Sequence, residues 1–208
     1  MKVIFLDFDG VITTLESGWN LCPKKMNLLG EILQETDAKI VISSSWRRNT
    51  LEETLDFISG GSIHAKQNPF PFLDNVIGIT NRMYAFSYND PIDGRSGKRP
   101  NYLIPRGVEI DRWLQVNGYD VDNYVILDDN SDMLYCQRNN FVQTDQYEGL
   151  SEENVEQAIK ILNKNDELML VGGCVRNYIL NKKINDFDFA TKLKPNEVIE
   201  ILEKNNIK

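Results

Sequence analysis

The chain has 208 residues, of which 41% are hydrophobic, so it can bury a core, and global disorder is excluded. Its formal net charge of −8 argues against broad, nonspecific binding of nucleic acid, which usually requires a basic domain. A local basic groove is still compatible with that charge.

The sequence also predicts the cellular compartment. The three cysteines, Cys22, Cys136 and Cys174, are widely separated, which is typical of reduced, intracellular thiols. The N-terminus enters a short strand pattern without the layout of a signal peptide, and no apolar run approaches the length of a membrane span. We therefore expect a cytoplasmic protein that does not associate with membranes.

Short apolar strands alternate with amphipathic helices along most of the chain. In chain order, the sequence predicts a strand at 2–6, a helix at 24–36, a strand in "KIVISSSW", a helix at 50–59 capped by Asn49, a strand in "NVIGIT", a helix around 110–114, a strand in "NYVILDDNSD" and a helix from Ser151. The rest of segment 60–106 is rich in Gly, Pro, Asn and Ser and predicts a loop. This order predicts an α/β fold with a Rossmann-like, mostly parallel sheet.

A polar break, "NKND" at 163–166, precedes a second and shorter unit. The segments "ELMLVGG", "CVRNYIL", "KINDFDFAT" and "NEVIEILEK" again alternate strand and helix patterns. We therefore expect one domain over residues 1–163 and a small C-terminal α/β fragment over residues 164–208.

Acidic side chains follow two of the predicted strands of the first domain. Asp7 and Asp9 come at the end of the first strand, just before Gly10, and Asp128 and Asp129 end the strand near residue 125. Ligands of such sheets bind at the carboxyl ends of the strands. Because side chains two apart on a strand share a face, Asp7 and Asp9 are expected to converge, and a bound Mg²⁺ would offset their repulsion.

The stretches "DFDGV" and "VILDD", with a serine-ended strand between them, resemble the haloacid dehalogenase (HAD) superfamily over roughly the first 160 residues. The resemblance implies a HAD-type sheet, and the short segment 11–38 implies a minimal cap. It also implies that Asp7 is a nucleophile that forms an aspartyl-phosphate, and that Asp9 is the general acid and base. The metal shell would hold Mg²⁺ through Asp7, the backbone carbonyl of Asp9, Asp128 and Asp129. An acid at position 9 favours a phosphatase over an ATPase.

Two roles of that family have alternative candidates in this chain. The hydroxyl that binds the phosphoryl oxygen is expected to be Ser44, the first residue to leave the strand, with Ser43 as the second choice. The cation that holds the phosphate is expected to be Arg106, with Lys98 as the alternative. Around these residues, the expected substrate-binding residues are Arg47, Arg48 and Gly10.

Four segments carry a narrower resemblance: "KIVISSSWRR", "RGVEIDRWL", "YVILDDNSDM" and "FVQTDQYEGLS" are similar to a HAD branch found in RNA-repair proteins. The resemblance implies a Mg²⁺-dependent phosphatase that acts on the 3'-phosphate of a nucleic-acid end, with RNA favoured over DNA. The alternatives are a small-molecule phosphatase, such as a nucleotidase, and a non-enzymatic RNA-binding module.

The stretch "VGGCVRNYILNKKINDFDFAT" resembles the start of the nucleotidyltransferase head of tRNA CCA-adding enzymes and bacterial poly(A) polymerases. The residues that match are Gly172, Gly173, Arg176, Asp186 and Asp188. In that family the glycines approach the triphosphate and the two Asp residues bind metals. Since the chain carries only the beginning of such a head, we expect no nucleotide transfer by this unit alone, and a partner polypeptide could complete it.

Overall fold

The computed structural model of the protein describes residues 1–86, 101–163, 169–171, 176–177, 180, 183, 188–191 and 199. The chain divides into two compact units, Met1–Asn163 and Lys164–Lys208. None of the helices in the described ranges is long and apolar enough to cross a membrane.

The first unit alternates strands and helices as the sequence predicts. Its elements are β1 (Lys2–Leu6), α1 (Pro23–Thr36), β2 (Lys39–Ile42), α2 (Leu51–Asp56), β3 (Val76–Ile79), β4 (Tyr84–Phe86), β5 (Asn101–Leu103), α3 (Arg106–Asn117), β6 (Asn123–Asp128), β7 (Phe141–Gln143) and α4 (Glu152–Leu162). Strands β3, β2, β1, β6 and β7 form, in that order, one parallel sheet, so the predicted Rossmann-like α/β fold is confirmed.

The sheet is buried on both faces, which explains why its strands are apolar without alternation. One face, with Ile4 and Leu6, lies in the core that includes buried residues of α1 and α4. The other face, with Val3 and Phe5, packs against Ile110 of α3. Each fully buried Leu, Ile or Phe contributes about 1.5–3 kcal/mol of stabilisation through the hydrophobic effect, so burial of these side chains stabilises the central strand.

The register of the three central strands brings their ends together. Leu6, the last residue of β1, pairs with Ile42 of β2 and with Leu127 of β6. The ladder continues for one more residue on either side, because the Asp7 N–H donates to the Leu127 carbonyl and the Ser43 N–H donates to the Leu6 carbonyl, each over 2.9 Å. The residues that follow β1, β2 and β6 therefore emerge at the same edge.

Helix α2 is shorter than the sequence predicts, and its cap is a different residue. The Thr50 hydroxyl accepts the Glu53 N–H, so Thr50, and not Asn49, caps the helix. The helix ends at Asp56 and continues as a wider π-helical turn over Phe57–Gly61, in which Gly60 has φ 127°. Such a φ favours glycine and ends the helical conformation at this residue.

Two parts of the sheet structure were not predicted. Strands β4 and β5 form an antiparallel hairpin inside the segment expected to be a loop, and β7 adds an edge strand next to β6. Each of these strands has only three residues. Strands this short carry too little alternation to be read from the sequence. The start of α4 does follow the prediction, because the Ser151 hydroxyl accepts the Asn154 N–H.

The second unit contains β8 (Met169–Val171) and β9 (Asp188–Ala190), which pair antiparallel with Leu170 opposite Phe189. Both strands fall inside the segments in which the sequence predicts strands.

Candidate active site

Three carboxylates come together where β1 and β6 end. One oxygen from each of Asp7, Asp128 and Asp129 lies within 4.8 Å of the others. The Asp7 and Asp128 side chains are buried, whereas Asp129 is half-buried. Carboxylate oxygens are the ligands that Mg²⁺ prefers, so this set of donors suits a hard divalent cation.

The cluster holds its protons more tightly than ordinary carboxyl groups do. Burial raises the pKa of Asp7 to about 6, although Arg106, the Ser44 hydroxyl and the Phe8 N–H oppose the rise. Burial and the neighbouring charge of Asp7 raise the pKa of Asp128 to about 8. Burial also raises the pKa of Asp129. Without a bound cation, ionising all three carboxyl groups at neutral pH is energetically costly.

Arg106, the first residue of α3, supplies a positive charge to this cluster. Its Nη1 atom lies 3.8 Å from an oxygen of Asp7 and 3.8 Å from an oxygen of Asp128. This nitrogen is buried and has no hydrogen-bond partner among the described residues, so it is available to an anion bound there. Lys98, the alternative candidate, lies outside the described residues.

Asp132 fixes the position of Arg106 at the start of α3. Its carboxylate accepts the Arg106 N–H over 2.9 Å, and its carbonyl accepts the Gly107 N–H over 3.1 Å. Helix α3 follows Pro105, which offers no side-chain cap, so Asp132 satisfies two of the free N–H groups at the start of the helix. In the sequence, the signal for this residue is an acidic side chain three positions after the "DD" pair.

Gly10 is required by the close approach of Asp129. It has φ 70°, and a Cβ atom built there would lie 2.5 Å from Cγ of Asp129. Any side chain at position 10 would therefore displace a carboxylate of the cluster. The Gly10 carbonyl accepts a hydrogen bond from the Thr144 hydroxyl over 2.7 Å, which holds the turn in place.

The Asp9 carboxylate lies near Asp7, where its charge adds to the effect of burial in raising the pKa of Asp7, and it has hydrogen-bond partners of its own. Strand β1 ends at Leu6, so the alternation of side chains along a strand does not apply to residues 7 and 9. The Asp9 carboxylate instead accepts hydrogen bonds from the indole of Trp46, the hydroxyl of Ser45 and the hydroxyl of Thr13, over 2.8, 2.8 and 3.1 Å. Its side chain is thus positioned beside the acidic cluster and not within it.

The three consecutive serines after β2 have different partners. Ser44 is buried, and its hydroxyl forms a hydrogen bond that favours the ionised form of Asp7. The Ser43 hydroxyl accepts a hydrogen bond from Thr80, over 3.3 Å. The Ser45 hydroxyl donates to Asp9. Of the two candidates, the geometry favours Ser44 as the hydroxyl nearest to the proposed nucleophile.

Arg47 is not free to bind substrate in the way its position had suggested. Its guanidinium is buried, forms an ion pair with Glu109 through Nη2 and donates from Nη1 to the Ser44 carbonyl over 2.9 Å. Burial lowers the pKa of Arg47, and the charge of Glu109 opposes that shift. Arg48 is exposed, and its guanidinium carbon lies 3.5 Å from the centre of the Phe57 ring.

Most candidates in the second unit fall outside the described residues: Gly172, Gly173 and Asp186. Arg176 is exposed, and Asp188 is the first residue of β9.

Comparisons with known proteins cover both units. Residues 3–155 match the family model described as the HAD domain in Swiss Army Knife RNA repair proteins, and residues 168–208 match that of the poly A polymerase head domain. A CCA-adding enzyme of Oceanobacillus iheyensis is 43% identical over 44 residues, which are 21% of this chain and 11% of that enzyme. The chain thus spans only a small part of this relative. No solved structure matches the chain.

Proposed function

Because the chain belongs to the family of HAD domains in Swiss Army Knife RNA repair proteins, we propose that it is a Mg²⁺-dependent phosphatase that removes the 3'-phosphate from a polynucleotide end. One observation carries this proposal. The buried Asp7 has Asp128 and Asp129 beside it, and Nη1 of Arg106, which has no hydrogen-bond partner among the described residues, faces Asp7 and Asp128. A nucleophile, a place for a cation and a donor for a phosphoryl oxygen therefore occupy one edge of the sheet.

The first chemical step uses Asp7 and Asp9. A carboxylate oxygen of Asp7 attacks phosphorus, and the bond between phosphorus and the ester oxygen breaks as Asp9 gives that oxygen a proton. The hydrogen bonds from Trp46, Ser45 and Thr13 hold the Asp9 carboxyl in place for this transfer. The Ser44 hydroxyl and the Arg106 guanidinium bind the phosphoryl oxygens.

In the second step water regenerates the enzyme. Asp9 takes a proton from a water molecule whose oxygen attacks phosphorus, the bond between phosphorus and the Asp7 oxygen breaks, and inorganic phosphate leaves. Asp7, Asp128 and Asp129 would hold Mg²⁺, with the Asp9 carbonyl as a further ligand. When bound, Mg²⁺ neutralises charge on the phosphoryl group and shields it from the attacking carboxylate.

Mg²⁺ is expected to stabilise the protein more strongly at alkaline than at acidic pH. In the metal-free protein the folded cluster keeps protons that the unfolded chain has already lost, so its stability contribution is complete below about pH 4 and falls as pH rises through the raised values of about 6 for Asp7 and about 8 for Asp128. Mg²⁺ binds the deprotonated carboxylates and reverses this loss.

Thermal unfolding with EDTA and with Mg²⁺ measures this effect. We expect the increase in Tm caused by Mg²⁺ to be several degrees larger at about pH 8.5 than at about pH 5.5, since each kcal/mol shifts Tm by about 2–4 °C in a chain of this size. Asp128→Asn should remove most of the difference. An increase that is the same at both pH values, or that persists in Asp128→Asn, would contradict a cation site in this cluster.

The polynucleotide substrate is supported by the family and by the surroundings of the site. The family is described by its occurrence in RNA repair proteins, which is why RNA is favoured over DNA. Arg48 and Arg82 lie on the same edge of the sheet and are exposed. Arginines contact phosphates of a strand without reading its sequence, which suits an enzyme that acts on ends.

A panel of substrates tests the proposed function. The protein is incubated with Mg²⁺ and with 3'-phosphorylated RNA, the matching DNA, 5'-phosphorylated RNA or 3'-phosphorylated mononucleotides, and phosphate release is measured. We expect the highest kcat/KM for 3'-phosphorylated RNA. Preferential turnover of mononucleotides would indicate a small-molecule phosphatase, and oligonucleotide binding without any turnover would indicate a non-enzymatic module.

For residues 164–208 we propose that this unit does not transfer nucleotides by itself. The support is the extent of the similarity, which covers 44 residues and 11% of the CCA-adding enzyme. Incorporation of a labelled nucleotide by this chain alone would contradict the proposal.

A further inference from the structure

A cavity of about 540 Å³ lies beside the ends of β2 and β3, at the edge of the sheet that carries the proposed active site. Three arginines line it, Arg47, Arg48 and Arg82, together with the amides Asn49 and Asn81. No acidic residue and no aromatic ring belongs to its lining in the part of the chain that the structure describes. The two chemical steps proposed above use none of the residues that line this cavity.

The positive charge of the cavity is largely uncompensated. Arg47 is paired with Glu109, but its buried Nε atom has no hydrogen-bond partner among the described residues. No carboxylate within the described ranges lies close enough to Arg48 or Arg82 to form an ion pair. The chain as a whole carries a net charge of −8, so this concentration of arginine is a local exception.

The cavity adjoins the proposed catalytic residues through the serines after β2. Arg82 donates from Nη2 to the Ser45 carbonyl over 3.0 Å, and the Ser45 hydroxyl donates to Asp9 over 2.8 Å. Arg47 donates to the Ser44 carbonyl. An anion in the cavity would therefore lie next to the loop that positions Ser44 and Asp9.

We infer that this cavity binds the phosphodiester backbone of the strand whose terminal phosphate reacts at Asp7, an inference that rests on the proposed function. The guanidinium group is a planar fork that matches phosphate oxygens, and Arg48 and Arg82 offer two exposed guanidinium groups to a phosphate ester. A volume of about 540 Å³ falls in the range of sites for nucleotide-sized ligands and exceeds what a single ion needs.

The lining also predicts the kind of recognition. Base stacking needs aromatic rings, and the described lining offers only Ile79 as a large apolar side chain. The cavity is therefore expected to hold the backbone and to accept any base sequence. An enzyme with this cavity would prefer the end of a strand over a mononucleotide of the same terminal chemistry.

The experiment compares Arg48→Ala and Arg82→Ala with the wild-type protein on two substrates, a 3'-phosphorylated oligonucleotide and a 3'-phosphorylated mononucleotide. Each substitution should raise KM for the oligonucleotide about tenfold relative to KM for the mononucleotide, since it removes one charge-assisted contact. It should also lower the dependence of log KM on log salt by about one unit of slope. Arg82→Lys should restore part of the preference.

Arg138→Ala is the matched control. Arg138 is exposed, precedes β7 and stacks on Tyr135 with 4.2 Å between its guanidinium carbon and the ring centre. The substitution removes the same charge at a position away from the cavity. The ratio of KM for the oligonucleotide to KM for the mononucleotide should therefore stay at the wild-type value. Thermal unfolding shows whether each variant is folded.

Binding of an oligonucleotide with a 3'-hydroxyl, followed by fluorescence anisotropy, separates this inference from the proposed function. If no phosphoester is turned over but binding weakens about tenfold in Arg48→Ala and Arg82→Ala, the function is wrong and the cavity still binds a strand. If turnover is normal and the two variants keep both the wild-type KM ratio and the wild-type affinity, the inference is wrong. Equal increases in KM for both substrates would also overturn it.

Discussion

Asp7→Asn is expected to lower phosphate release from a 3'-phosphorylated oligonucleotide by at least about 10³-fold, because an amide cannot form the phosphorylated intermediate. The substitution keeps the size of the side chain. It also removes a buried negative charge next to Asp128, whose pKa the charge of Asp7 helps to raise. The metal-free variant should therefore unfold at a temperature at or above that of the wild-type protein.

Asp74→Asn is the control for this prediction. Asp74 is exposed and precedes β3, so it lies away from the residues that follow the strands. The same chemical change there should leave kcat and KM at their wild-type values. If Asp7→Asn retained a tenth or more of the wild-type kcat while remaining folded, Asp7 would not be the nucleophile.

Glu109→Gln is expected to destabilise the protein by about 3 kcal/mol, because it leaves the buried Arg47 without its counter-charge. Glu109 is itself buried and joins three segments. Besides its ion pair with Arg47, it accepts the Met83 N–H over 2.8 Å and lies 3.8 Å from Nε of Arg106. Denaturant unfolding of the wild-type and variant proteins measures the loss of free energy.

Glu156→Gln makes the same change at an exposed position of α4 and should alter the free energy of unfolding by less than about 0.5 kcal/mol. The double variant Arg47→Met, Glu109→Gln should regain part of the loss, since it removes the uncompensated charge as well. If Glu109→Gln cost no more than Glu156→Gln, the buried ion pair would not stabilise the fold.

The sequence predicted the architecture and the meeting of the strand ends well. Buried strands followed by Asp7 and by serines, and a third that ends at Asp128, imply a parallel sheet whose strand ends meet, and the register of Leu6 with Ile42 and Leu127 shows that they do. Both family resemblances drawn from short motifs are confirmed by the matches over 3–155 and 168–208. Hydrophobic patterns and strand ends are local properties, which is why they can be read from the sequence.

The contacts of single side chains were harder to predict. Position 9 appeared to lie on the same strand face as position 7, but the strand ends before both residues, and tertiary hydrogen bonds from Trp46 and Ser45 decide where the Asp9 carboxylate lies. Arg47 appeared to be a surface cation beside Arg48. Its partner Glu109 is 62 residues away in the sequence, and no local sequence pattern indicates that the two residues pair.

The choice of the cation that holds the phosphate shows the same limit. Arg106 was one of two candidates because it precedes a helix, and only the structure shows its guanidinium between Asp7 and Asp128. The contact depends on Asp132, which caps the helix from the loop after β6. The hydrogen bond between the start of this helix and a loop residue 26 positions later is fixed by the sheet and not by either segment alone.

The central claim is that Asp7 becomes phosphorylated next to a cation held by the acidic cluster. A crystal structure of the protein with Mg²⁺ and beryllium trifluoride, which mimics a phosphoryl group on a carboxylate, tests it most directly. We expect beryllium bonded to an Asp7 oxygen, with Mg²⁺ at about 2.1 Å from oxygens of Asp7 and Asp128. Beryllium trifluoride on another residue, or Mg²⁺ bound away from these carboxylates, would contradict it.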